Sequence, residues 1–209
     1  MARQPYTSCV FINCPFDDEY KPIRDAIVFA IYDCGFIPRC ALEENNGGNV
    51  RFDKIQKIIG ECKFGVHDIS RTELDNHNGL PRFNMPLELG VFLGAKRFGD
   101  TRQKAKNCLI LDRDQYRYQQ FISDIAGQDI RSHNSDAHQV IGLIRGWLSD
   151  SSGRRTIPGG RAISRRYETF LAALPRICLN AKLELGELTF NDFSVFASNW
   201  LIENGAEPA

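Results

Sequence analysis

The sequence predicts an α/β fold: an open parallel sheet with helices on both faces, followed by a small C-terminal helical appendage. Two observations predict it. Short apolar runs alternate along the chain with longer stretches whose apolar residues recur at three- and four-residue spacing. Strand–helix alternation of this kind builds a sheet covered on both sides. The composition, 43% hydrophobic and 25% charged over 209 residues, is that of a globular chain with a sizeable core, which excludes wholesale disorder.

Each element follows from its own pattern. Residues 9–13 form an apolar run that reads as a buried strand, ending in the turn Cys14-Pro15-Phe16-Asp17-Asp18. Residues 20–34 carry Ile23, Ala26, Ile27, Ala30 and Ile31 on one helical stripe, and Gly35 supplies the stop. Residues 36–42 predict a second strand, irregular at Pro38, and residues 43–49 a polar loop. Residues 50–62 predict a helix with Phe52, Ile55, Ile58 and Ile59 inward, and residues 64–70 a third strand. After a polar loop over 71–83, residues 85–98 predict a helix with Asn84 as N-cap and Pro86 in its first turn. Residues 107–112 are a fourth strand. Helices over 116–123 and 137–148 flank a short fifth strand around 125–130.

Residues 149–160 hold Ser, Gly, Pro and Arg without an apolar period and read as a linker. Beyond it, Tyr167, Phe170, Leu171 and Leu174 mark one helix. Phe190, Phe193, Phe196, Ala197 and Trp200 mark another, capped by Thr189 with Asp192 three residues on. The expected division is an α/β domain over residues 1–150 and a linker with a helical region over 151–209.

Charge and cysteine usage narrow the function classes. The 26 Lys+Arg offset 26 Asp+Glu, a balance that disfavours nucleic-acid partners. No apolar run reaches the length of a membrane span, and residues 1–5 lack the apolar core of a signal peptide. The expectation is a cytoplasmic protein with no membrane partner. Seven scattered cysteines without a C-x-x-C pair match neither a disulfide framework nor a zinc site. His67, His77, His133 and His138 are scattered as well, so no metal is expected.

In an open α/β sheet, ligands bind beyond the carboxyl ends of the strands. Residues 13–18, 68–71 and 84–88 therefore converge on one rim. Glu88 stands out because Leu87, Leu89, Val91, Phe92 and Leu93 make its helix apolar nearly all round, leaving a lone carboxylate in a mostly buried segment. Its structural alternatives are a complement to the helix dipole or a solvated face. Asp68 ends a buried strand, where a cap or an ion pair with Arg71 is the structural alternative. Asp17 and Asp18 suit a helix cap. Arg154, Arg155, Arg161, Arg165 and Arg166 form a basic cluster that either meets phosphate or is simply solvated. Gly47-Gly48 is a loop, since no phosphate-binding glycine motif occurs.

The turn from Phe11 to Phe16 resembles the aliphatic-aliphatic-x-Gly-Pro-Phe turn of nucleoside 2-deoxyribosyltransferases, with Cys14 at the glycine position. The stretch from Pro86 to Lys96 is similar to the helix that carries their nucleophilic Glu, with Val91-Phe92 in place of Tyr-Ala. The broader resemblance, from Val10 to about Ile130, is to TIR-like proteins of bacteria, which share a flavodoxin-like core and place a catalytic Glu on a comparable helix. It implies cleavage or transfer of an N-glycosidic bond at ribose C1′, with NAD as the favoured substrate and no resident cofactor. Glu88 is then the nucleophile or oxocarbenium stabiliser. Asp68 and Ser70 are expected on the ribose hydroxyls and Asn13 and Phe16 at the base, with Pro15 and Asn84 as further substrate-binding residues on the same rim. No general acid stands out, which favours a cationic leaving group such as nicotinamide. Self-association through the α/β domain is a further implication. Two alternatives compete: a non-catalytic TIR-like nucleotide-sensing or interaction module, and a phospho-receiver domain using Asp17, Asp18 and Asp68. The latter lacks its hydroxyl residue at Asp112-Arg113-Asp114.

Overall fold

A computed structural model of the chain describes residues 4–44, 46–48, 50–74, 79 and 82–205. His77, one of the scattered histidines, lies outside them. The strands are β1 (Cys9–Asn13), β2 (Ile37–Cys40), β3 (Phe64–Asp68), β4 (Asn107–Asp112) and β5 (Ile130–Ser132). They form one all-parallel sheet in the order β2-β1-β3-β4-β5, the flavodoxin-like arrangement. The chain leaves β1 toward β2 and then crosses back to β3, so strand order reverses between β1 and β3. A crevice belongs at that point.

Helices α1 (Lys21–Asp33) and α5 (Ala137–Ser152) cover one face of the sheet, and α2 (Arg51–Glu61) and α3 (Asn84–Phe98) the other. A short α4 (Thr101–Lys104), unforeseen in the sequence, precedes β4. β1 and β3 are buried along their whole length, which explains why they read as unbroken apolar runs. β2, with Pro38, is an edge strand.

The C-terminal helices α6 (Gly160–Ala181) and α7 (Phe190–Glu203) pack over α1 as an outer layer. Phe170 lies against Phe29 of α1 with ring centroids 5.3 Å apart, and Phe193 and Trp200 lie against Phe170 at 5.6 and 5.7 Å. One hydrophobic core therefore runs from β1 through α1 into α6 and α7. Thr189 caps α7 in a reciprocal capping box with Asp192, as its sequence predicts.

Several boundaries differ from expectation for physical reasons. The expected helix over 116–123 is a pair of 3-10 turns, Arg117–Gln120 and Ser123–Ile125, entered through Tyr116 at φ 62°. The fifth strand starts at Ile130, because a turn through 126–129 displaces it. Residues 149–152 continue α5, which ends only at Gly153 in a left-handed conformation (φ 69°). The connection is thus residues 153–159, and Ile157 within it is buried. Two members of the basic cluster hold the layers together. Arg154 lies over the Phe36 ring and donates to the Gly35 carbonyl. Arg166 donates to both oxygens of Asp33, at 2.9 and 2.6 Å. Arg155, Arg161 and Arg165 are exposed.

Candidate functional site

The strand-order reversal opens a cleft of about 380 Å³ between the end of β1 and the starts of α2 and α3. Asn13, Phe16, Asp17, Arg51, Asn84 and Glu88 line it, with Pro15 among the remaining wall residues. Five of the residues singled out in the sequence, Asn13, Pro15, Phe16, Asn84 and Glu88, are therefore brought together here.

Glu88 reaches the cleft because α3 buries only one stripe. Met85, Glu88, Leu89 and Phe92 face inward, whereas Leu87 is 54% exposed and Phe98 86% exposed. The expectation of a helix buried nearly all round is corrected: α3 is a surface helix, and Glu88 is the charged member of its inner stripe. The helix begins at Asn84 with Phe83 in the flanking position, so Asn84 is the first helical residue instead of the cap. Asn13 anchors that first turn. Its amide nitrogen donates to the Met85 carbonyl at 2.8 Å and lies 3.1 Å from Nδ1 of His67. This bond ties the end of β1 to the turn that carries Glu88. The amide oxygen of Asn13 receives no hydrogen bond from the described residues.

The Glu88 side chain makes no hydrogen bond and no ion pair within the described residues. The residue is 7% exposed, and burial pushes its carboxyl up to about 7, opposed by the positive charge of Arg51. With no donor among the described residues, both oxygens of Glu88 are left available to whatever enters the cleft, at the cost of a carboxyl that holds its proton more tightly.

Asp68 and Ser70 lie behind the cleft and not on its wall. Asp68 has no exposed surface, and its oxygens are already taken. Oδ2 accepts from the Tyr20 hydroxyl at 2.5 Å and faces Nε2 of His133 at 2.9 Å. Oδ1 accepts from the Ser70 amide at 2.8 Å and from the Ser70 hydroxyl. Nδ1 of His133 accepts from the Ser135 amide at 3.1 Å, so the ring proton sits on Nε2. The turn that presents that amide holds Asn134 and Ser135 at φ 49° and 57°, a conformation side chains disfavour. Serine, histidine and aspartate thus meet without forming a hydrolase triad. The carboxylate lies on the same imidazole nitrogen as the hydroxyl, and the hydroxyl proton goes to Asp68. The cluster instead pins the ends of β3 and β5 to the start of α1.

Arg71 pairs with Asp17 at 3.2 Å and with Glu19, leaving Asp68 to the buried cluster. Asp17 also accepts from the Tyr20 amide at 2.9 Å, the capping role expected of it. His133 and His138 do not meet: His138 faces Glu168 at 3.4 Å. Among the described residues, no group of three His, Cys, Asp or Glu side chains is arranged to hold a metal ion. Arg51 on the cleft wall, and Tyr20 and His133 behind it, are not among the site residues that the sequence singles out. Arg51 and His133 carried one usable signal: each directly adjoins a strand-end loop on the ligand-binding rim.

No family model matches the chain, and no solved structure matches it. Among curated proteins it is similar to Protein tirC of Dictyostelium discoideum, with 29% identity over 87 residues, covering 37% of this chain. The match spans 42% of that relative's own length.

Proposed function

We propose that the chain is a TIR-like domain that cleaves or transfers an N-glycosidic bond at ribose C1′, with NAD as the favoured substrate and Glu88 as the nucleophile or oxocarbenium stabiliser. The observation that carries this reading is the Glu88 carboxylate: buried, bonded to none of the described residues and set into the wall of the crevice at the strand-order reversal. Glycosidic cleavage builds positive charge at C1′. A fixed, poorly solvated carboxylate stabilises that charge far better than water does. The same resemblance on which the reading rests agrees with the name of the Dictyostelium relative.

Within the cleft, the free amide oxygen of Asn13 and the half-buried Phe16 ring are suited to orient a base, and Arg51 to meet a phosphate. Asp68 and Ser70 lie off the cleft wall and act as positioning residues that hold the strand ends, not as ribose ligands. Among the described residues no side chain in the cleft is placed as an evident general acid, which favours a leaving group that is already cationic, such as nicotinamide. Glu88 must be ionised to act, so base release is expected to fall as pH drops below about 7.

The test is chromatography of bases released from NAD and from a panel of nucleosides and nucleotides, with wild type and Glu88→Gln compared at low and high protein concentration. Release that depends on Glu88 supports the proposal. Nucleotide binding without release would replace it with a sensing module.

A further inference from the structure

The Asp17-Asp18 turn has two sides. Asp17 lines the Glu88 cleft, and Asp18 lines a separate cavity of about 590 Å³. This cavity lies between the start of α1, the turn at Leu42 and the segment leading into α7. It exists because the C-terminal helices pack on the α/β layer: Gly186 and residues 188–190 wall it on one side, and that side lies outside the stretch that carries the family resemblance.

Its inner wall holds Arg24, a residue only 9% exposed. Among the described residues the buried Nε of Arg24 has no acceptor, and the guanidinium makes one long contact, 3.4 Å from Nη2 to Asp25. Asp25 accepts a shorter bond, 2.7 Å, from Nζ of Lys21, a residue that also lines the cavity. A guanidinium carries five donors and never loses its charge at physiological pH. Buried with one stretched, shared ion pair, it is under-compensated. Arg24 lines the cavity, and an oxyanion entering it would add an acceptor to the one long contact with Asp25. Leu42, Leu188 and Phe190 offer apolar surface beside it, and Asp18 at the mouth offers an acceptor for a hydroxyl or amino group. The volume falls within the range of sites for small organic ligands, roughly 300–1,000 Å³.

We propose that this cavity is a second binding site, which takes a small organic oxyanion of about mononucleotide size, its phosphate or carboxylate pairing with Arg24 and Lys21. The site is independent of the chemistry assigned to Glu88.

Calorimetric titration of the full chain with AMP, inorganic phosphate and citrate, at low and high salt, tests it and separates phosphate from carboxylate ligands. The variants are Arg24→Gln, Gly186→Trp and Arg51→Ala. Gly186 lines the cavity and has open space where a side chain would start, so tryptophan there adds bulk at the cavity wall without a clash at its Cβ and leaves Arg24 in place. The expected result is binding that weakens about ten- to a hundredfold in Arg24→Gln and in Gly186→Trp and persists in Arg51→Ala. Should Arg24→Gln fail to fold, Gly186→Trp decides the matter. No binding to wild type at up to about 10 mM ligand overturns the proposal, as does binding retained in Gly186→Trp and lost in Arg51→Ala.

Discussion

Replacing Glu88 by glutamine should make the protein more stable, and by an amount that depends on pH. The carboxyl is raised from 4.5 to about 7, chiefly by burial. Keeping it ionised in the fold therefore costs at most about 3 kcal/mol, at roughly 1.4 kcal/mol per tenfold change in proton affinity. The sign follows from proton binding. Between the unfolded value and about 7 the folded state holds the proton more tightly, so stability falls as pH rises through that window. Glutamine keeps the shape and removes the charge. The variant should match wild type near pH 4, gain through pH 5–7, and exceed it above pH 8 by about 1–3 kcal/mol. Urea denaturation followed by circular dichroism, at half-unit steps of pH, reads the difference directly. A difference that is flat with pH, or that favours wild type at alkaline pH, would refute the claim that Glu88 is held at an energetic cost. The same variant, better folded and without turnover, would display stability exchanged for function at one position.

Other perturbations are equally specific. A Cβ at Gly65 would meet Nε2 of His67 and the Phe92 ring at 2.8 Å, so Gly65→Ala should destabilise by about 1–3 kcal/mol in the same denaturation experiment. Tyr20→Phe removes one donor from the buried Asp68 carboxylate and should cost about 1.5–3 kcal/mol, with faster hydrogen exchange at the start of α1 as its local signature. A chain ending at residue 159 uncovers the outer side of α1, including Phe29, and should aggregate or bind a hydrophobic dye where the full chain does not. An intact, monomeric, cooperatively unfolding fragment would show that the C-terminal helices are dispensable.

What was legible in the sequence follows the range of the forces involved. β1 and β4 match their expected limits because each is a continuous apolar run, a signal contained within the strand itself. β5 was misplaced because it is three residues long at a sheet edge, with Arg131 between Ile130 and Ser132, and carries almost no apolar period. Glu88 was legible as an odd carboxylate, yet the depth of its helix was misjudged. Leu87 and Phe98 look like core residues by type, and only the packing shows that they face outward. The Asp68 cluster was illegible. Its members Tyr20, Asp68 and His133 lie 48 and 65 residues apart in sequence and meet only through strand order.

The edges of the sheet have a consequence for how copies of this chain meet. β2 ends the sheet on one side and contains Pro38, which has no amide hydrogen to offer, while β5 ends it on the other side with three residues. Neither border is a good template for another strand. Growth by sheet extension, the route that leads from folded domains toward fibres, is therefore obstructed at both ends. Any higher-order assembly of this chain is expected to be joined through helices and loops, which can come apart again without unzipping a ladder of backbone hydrogen bonds.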